Sequence, residues 1–542
     1  MASEADLVLT GAAVYTVDAA RRWAEAVAVR GGRIAAVGTA REMAELVGPR
    51  TRVLELEGRM VLPGFQDAHL HPPSGGLYRL RCELHGATGL REYLEVIRSY
   101  ADERPEAEWI LGGGWSMDSF PGGVPTRADL DAVVPGRPAF LTSRDGHTAW
   151  VNARALELAG IERATPDPPD GRIERDAAGE PSGALHEGAM HLADRLVPPV
   201  TQAEWEESIL LAQAHLHALG VTAMQDATVE PETLAAYRAL AERGELTMRT
   251  EGNLRWTRDR GEEQIRDMVE QRARGSVGRL RIRGAKIFQD GVMENFTAAM
   301  LEPYVGQETS GISMHEPGEL ARMVTLLDAE GFQVHIHTIG DRAVRESLDA
   351  FEAARRANGR RDARHHLAHI QAIHPDDIPR FRELGVVANA SPYWAVRSGY
   401  VEDLTLPFVS EETGRNMYPF GSLLRAGARL AFWSDWTVST ANPLLEIEVA
   451  VTRVSPDDRS AEPFLPEERL DLPTALAVFT IGSAYVNHLD RETGSIEPGK
   501  LADLAVLDRN PFDPGAGPIG DARVVLTLVE GATVYAEPGL AF

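Results

Sequence analysis

Val61-Leu62-Pro63-Gly64-Phe65-Gln66-Asp67-Ala68-His69-Leu70-His71 is the stretch on which the fold reading turns, an apolar run leading into two histidines one residue apart. Side chains alternate faces along a strand, so Asp67, His69 and His71 share one face, with His69 and His71 about 6.5–7 Å apart. Two imidazoles at that spacing can converge on one ion, because a Zn–N bond is about 2.0–2.1 Å. A bare His-x-His pair is commonly a packed core or loop feature. Its place at the end of a first strand gives this one its weight.

Outward from it, strand-like runs begin at Val61, Val221, Met248, Ile282, Val334, His366, Val386 and Leu430, with helical stretches such as 321–330 and 343–354 between them. Strands alternating with helices predict an α/β fold, and about eight of them predict a (β/α)8 TIM-like barrel over 61–489. The runs 109–115 and 139–143, with the Pro/Asp-rich loop 166–181, predict an inserted lobe over about 77–200. Both chain ends, 1–60 and 490–542, are short β-type runs divided by Gly and Pro. Neither end can close a core alone, so together they predict one small composite β-sandwich.

Three further strand ends carry metal-ligand chemistry. Gln333-Val334-His335-Ile336-His337 ends in His337, with His335 on the same face in an outer or packing role. His366-Leu367-Ala368-His369 ends in His369, while His365, His366 and His374 read as helix-end or loop residues. Phe432-Trp433-Ser434-Asp435 sets a carboxylate after the last apolar run. Barrel active sites form at the C-terminal strand ends, so these positions reinforce one another.

Asp67-x-His69-x-His71 on the first strand, Lys on the fourth, His on the fifth and sixth and Asp on the eighth resemble the amidohydrolase superfamily. The wording is similar to amidohydrolase family 3, the group containing N-substituted formamide deformylases. The matching stretches are Lys286-Ile287-Phe288-Gln289-Asp290-Gly291, His337-Thr338-Ile339-Gly340-Asp341, Ala368-His369-Ile370-Gln371, Ser434-Asp435-Trp436 and Thr493-Gly494-Ser495-Ile496-Glu497-Pro498-Gly499-Lys500. Thr437 stands where the commoner wording has Pro. The resemblance implies a divalent metal, zinc first among them, as one or two ions held by His69, His71, Lys286, His337, His369 and Asp435. It implies either a carboxylated Lys286 bridging two ions or a free amine beside one. It further implies hydrolysis of a non-peptide C–N bond by metal-activated water, with Asp435, His337 and Lys286 catalytic. Asp435 would move the proton to the leaving nitrogen.

Trp115, His147 and Trp150, aromatic and polar residues in the inserted region, are candidates for substrate contact, as is Asp290 in the matched Lys286 stretch. A heterocycle deaminase or a cyclic-amide hydrolase would use nearly the same ligands, and a non-catalytic regulator could retain the metal. His186-Glu187-Gly188-Ala189-Met190-His191 has one residue too many for a zincin helix, and no phosphate loop follows Gly112-Gly113-Gly114.

Bulk properties narrow the partners. With 55 basic against 81 acidic residues the net charge is −26, which repels nucleic acid and anionic membranes. The single cysteine, Cys82, excludes an intramolecular disulfide and a Cys-based zinc site. The acidic N-terminus lacks a secretory signal and no run is long enough to span a bilayer, so a cytoplasmic protein with a small-molecule substrate is expected. A homodimer is the expectation from general frequency.

Overall fold

The computed structural model describes residues 4–539; the first three residues of the acidic N-terminus and the last three of the 490–542 segment lie outside the described residues. Eight parallel strands form the central sheet: β1 Phe65–Leu70, β2 Val221–Val229, β3 Arg249–Arg255, β4 Leu280–Phe288, β5 Gln333–Thr338, β6 His366–His369, β7 Val387–Ala390 and β8 Arg429–Phe432. They neighbour one another in chain order from β1 to β8. The sheet nearly closes into a barrel just past the strand ends, where the Asp435 amide donates to His69 O at 3.0 Å and the His71 amide to Trp436 O at 2.9 Å. Helices such as Gln202–Ala218, Pro317–Ala329 and Asp341–Asn358 follow the strands and bury their apolar faces on them. Thr201 and Glu204 cap the first of these reciprocally, which fixes where it starts.

The first strand begins later than the sequence predicts. Met60–Pro63 is a separate strand, paired with Ala13–Tyr15 and Leu504–Leu507, and β1 starts at Phe65. The change occurs at Gly64, where a Cβ would stand 2.3 Å from Thr222 Oγ1, so only glycine lets the chain pass there. His71 correspondingly lies beyond β1, as the residue before helix Pro72–Leu80. In that helix Gly76 lies against the Ser208 backbone, where a Cβ would come within 1.8 Å of the carbonyl oxygen. The absence of a side chain lets the two helices touch.

Met60–Pro63 belongs to a six-stranded sheet, in the order Ala532–Ala536, Val524–Val529, Leu504–Leu507, Met60–Pro63, Ala13–Tyr15 and Trp23–Ala24. A four-stranded sheet, Arg33–Gly38, Ala26–Arg30, Leu7–Thr10 and Arg52–Glu55, shares an apolar cluster with it that includes Leu9, Val27, Leu54, Val61 and Leu526.

Between β1 and β2 stands another six-stranded sheet: Gly171–Arg175, Pro181–Glu187, Thr148–Val151, Ala139–Ser143, Ile110–Trp115 and Cys82–Glu83. Much of the expected loop 166–181 is therefore a hairpin. Asp176 turns it by accepting from the Ala178 and Glu180 amides at 2.8 and 3.0 Å.

Candidate active site

The candidate ligands meet at the C-terminal rim of the barrel. His69 is next to last in β1, Lys286 lies near the end of β4, His337 near the end of β5, and His369 closes β6. Asp435 follows β8 by three residues in a left-handed conformation, φ 49°, which turns the chain back over the rim. His369 also has positive φ, 78°. Non-glycine residues in this region carry strain, which clusters at functional sites.

His69 Nε2 and His71 Nε2 each lie 3.3 Å from Asp435 Oδ1, and one ligand atom from each of the three residues falls within 4.8 Å of the others. His369 Nδ1 stands 3.9 Å from Asp435 Oδ2. His337 packs on His369 with ring centroids 4.3 Å apart, and its Nε2 lies 3.2 Å from Gly291 O. Lys286 is fully buried, its Nζ without a hydrogen-bond partner and 5.0 Å from the Phe288 ring centre. Both ring nitrogens of His369 are likewise buried without a hydrogen bond, and Asp435 Oδ1, although close to His69 and His71, makes none of good geometry. A buried polar atom without a partner costs about 1–3 kcal/mol. Several aimed at one place therefore call for a ligand, and imidazole with carboxylate is the donor set of a divalent cation. The residues present fit the group.

Electrostatics agree. Burial pulls the Lys286 ammonium down to about 7, against the opposing pull of Asp435, so a large neutral fraction exists near neutrality. Burial, then Lys286, holds His69 down at about 3; burial also holds His337 and His369 well below the usual imidazole range. Neutral imidazole is the form that ligates. Burial opposes ionisation of Asp435, yet His69 and His71 keep its carboxyl well below the usual range.

Behind the ligands stand residues that orient them. His335 Nε2 lies 2.9 Å from His69 Nδ1, leaving His69 Nε2 to face the site. His366 is not a loop or helix-end residue: it opens β6, fully buried, its ring 4.1 Å from that of His335. Asp67 accepts from Ser434 Oγ and N, tying β1 to the Asp435 segment; burial nonetheless raises its carboxyl to about 7. Trp433 and Trp394 wall the rings, Trp394 stacked on His369 at 5.4 Å.

Of the expected substrate residues, His147 and Asp290 reach this cluster, the His147 ring 5.5 Å from that of His337. Trp115 and Trp150 are fully buried in the apolar core of the 82–187 sheet. Their indoles donate inside it, to Leu141 O at 2.8 Å and Thr126 O at 2.7 Å, because both residues sit on strands rather than loops. Asp290 is likewise occupied: it accepts from the Ala299, Ile339 and Gly340 amides at 2.8–3.3 Å and lies 3.7 Å from His337 Nε2. It shapes the loop behind His337.

The sequence reading missed Glu187. Its carboxylate takes His147 Nδ1 at 2.9 and 3.0 Å and the Thr297 hydroxyl at 2.9 Å, from a backbone with φ 50° and ψ −127°. Burial works against a charged His147, but Glu187 outweighs it and raises the imidazole to about 9. The neighbours set aside as zincin-like play other parts, His186 bonded to Thr148 Oγ1 at 2.9 Å and His191 to Asp194 at 2.9 Å.

The sequence profile of the amidohydrolase family matches residues 52–535. The chain belongs to this family. It is 32% identical to the protein LONG AFTER FAR-RED 3 of Arabidopsis thaliana, over 98% of this chain and 92% of that one. It is 30% identical to an N-substituted formamide deformylase of Arthrobacter pascens, over 98% and 99%. Among solved structures, an uncharacterized metal-dependent hydrolase from Pyrococcus horikoshii OT3 superposes with a TM-score of 0.73 at 27% identity, covering 94% of this amidohydrolase and 98% of that chain. The amidohydrolase is thus a metal-dependent hydrolase of its superfamily, and its His69, His71 and Asp435 cluster fits a divalent cation. No helix among the described residues is long and apolar enough to cross a membrane.

Proposed function

We propose that this amidohydrolase cleaves a non-peptide C–N bond, an amide, formamide or cyclic amide, in a small molecule. The observation carrying the proposal is a set of buried ligand atoms at one end of the barrel, His369 and Lys286 without hydrogen bonds beside the His69, His71 and Asp435 cluster. His69, His71, His337, His369 and Asp435 would hold the cation, with Lys286, neutral or carboxylated, beside it. When bound, the cation would supply Lewis acidity, lowering the pKa of a water and polarising a carbonyl.

The chain's own groups do the rest. Asp435, ionised and facing His69 and His71, accepts the proton of the attacking water and returns it to the leaving nitrogen. Oxygen joins carbon as the C–N bond breaks, giving a carboxylic acid and an amine. His337 faces the carbonyl oxygen, and His147, held by Glu187 and beside His337, contacts the substrate.

The reading takes zinc as the ion, since the donors are imidazoles and a carboxylate, and a cytoplasmic homodimer as the working form. It also divides the chain into a barrel over 61–489, a composite sandwich from 1–60 and 490–542, and an inserted lobe over about 77–200. The shared apolar cluster of the two end segments supports the sandwich.

A panel of formamides, amides, imides and aminated heterocycles, tested on protein stripped of metal and reloaded, examines the proposal. Carboxylate or formate release that returns with the metal is expected. Ammonia release from heterocycles alone would make it a deaminase, and inactivity of the fully loaded protein across the panel would contradict hydrolysis.

A further inference from the structure

A cavity of about 460 Å³ is walled by three separate parts of the chain. The 82–187 region contributes Asp118 and Phe120, the segment after β4 contributes Glu294 and Phe296, and the segment after β7 contributes Asp403 and Phe408. The walls are fixed to one another. Tyr400 Oη accepts from the Met117 amide at 3.0 Å, Gly399 packs on Asp118, and the Thr405 hydroxyl donates to Glu294 Oε1 at 3.3 Å. Phe296 and Phe408 meet edge to face at 5.1 Å and share an apolar cluster with Trp394, the ring stacked on His369. One apolar cluster thus lies between the cavity rings and the Trp394 that stacks on His369, and it links the cavity to the candidate metal centre.

Its chemistry is one-sided. Three phenyl faces and three carboxylates line it, and no lysine or arginine does. Among the described residues none of Glu294, Asp118 and Asp403 forms an ion pair with a basic side chain, although Arg and Asp or Glu pair freely elsewhere on the surface. Asp118 and Asp403 are exposed, but Glu294 is withdrawn from water, and a carboxylate so placed is ordinarily paired. Burial and then the like charge of Asp145 push Glu294 up to about 7, the mark of a negative group lacking a counter-charge. Aromatic side chains and carboxylates around an open-mouthed cavity are the two elements that recognise an organic cation. The overall charge of −26 adds a field that attracts one.

We propose that this cavity is a binding site for an organic ammonium group, so that the preferred substrates carry a positively charged amine remote from the scissile C–N bond. The substrate part of the proposal rests on the hydrolase reading above; the binding part stands by itself. Glu294 meets the charge at the inner wall, Phe296 and Phe408 cover its alkyl or aryl portion, and Asp118 and Asp403 guard the entrance.

The test is a calorimetric comparison of 2-phenylethylammonium with 2-phenylethanol, nearly equal in shape but not in charge, on the metal-loaded protein. The ammonium is expected to bind at least tenfold more tightly, and Glu294→Gln to reduce that preference below threefold. Should Glu294→Gln fail to fold, the exposed pair Asp118→Asn and Asp403→Asn is expected to reduce it at least threefold. Equal binding of the two probes, or a preference unchanged in the folded variants, would overturn the proposal. Because no turnover is read, this result judges the binding site alone, and the hydrolase reading stands or falls separately on the substrate panel above.

Discussion

On the β1 and β8 side of the rim, His69, His71 and Asp435 crowd together, with both imidazole Nε2 atoms 3.3 Å from one carboxylate oxygen. On the β4 to β6 side, Lys286 Nζ and both nitrogens of His369 are buried without a hydrogen bond. The first group is gathered by backbone: the Asp435 amide bonds His69 O, and Ser434 bonds Asp67. The second is set by strand register alone, Lys286 beside His335 and Thr338 beside His369. The difference teaches that the fold assembles half of the site by itself and leaves the other half short of a partner. A cation would relieve crowding on one side and supply missing interactions on the other.

Variants can break this comparison. The largest effect is expected from Asp435→Asn, which removes the proton acceptor while keeping an oxygen ligand. Turnover should fall by about 10²–10⁴-fold with metal retained, read by steady-state kinetics beside metal analysis. Unchanged turnover would remove Asp435 from the mechanism. His335→Phe strips His69 Nδ1 of its partner, and metal affinity should drop about 10–100-fold in a competition titration against a chelator. Lys286→Met tests the other side: if Lys286 bridges two ions, bound metal should fall from two per chain toward one, and an unchanged stoichiometry would leave it a lone amine.

Glu187→Gln should weaken turnover about tenfold or less, because it frees His147 without touching a ligand. A loss equal to that of Asp435→Asn would place Glu187 in the chemistry itself. Smallest in catalytic terms is Trp115→Ala, expected to cost about 3–5 kcal/mol of stability in denaturant unfolding. Its kcat/KM per folded, metal-loaded chain should change less than threefold. A selective loss of kcat/KM would return Trp115 to the substrate site.

Much of the rim was legible in the sequence because its residues sit at strand ends, where an apolar run meets a histidine or an aspartate. His69, His337 and His369 were read this way, and Lys286 through its resemblance to the family wording. His71 shows the limit of alternation: it lies past the strand and comes to Asp435 through a turn into Pro72–Leu80, not through a shared strand face. The expectation for Trp115 and Trp150 rests on their aromatic character and polar neighbours, and sequence alone does not show that both fall on paired strands facing a core. Glu187 gave no signal, since a left-handed backbone at the end of a hairpin aims it. Pairing across 40 residues between His147 and Glu187 has no local periodicity to betray it.

Metal content per chain, determined by mass spectrometry on protein purified without added metal, tests the central claim most directly when His69→Ala and His369→Ala are measured alongside. The account predicts at least one divalent ion in the unaltered protein and marked loss in both variants. A fully active protein without metal, or both variants retaining the full complement, would contradict it.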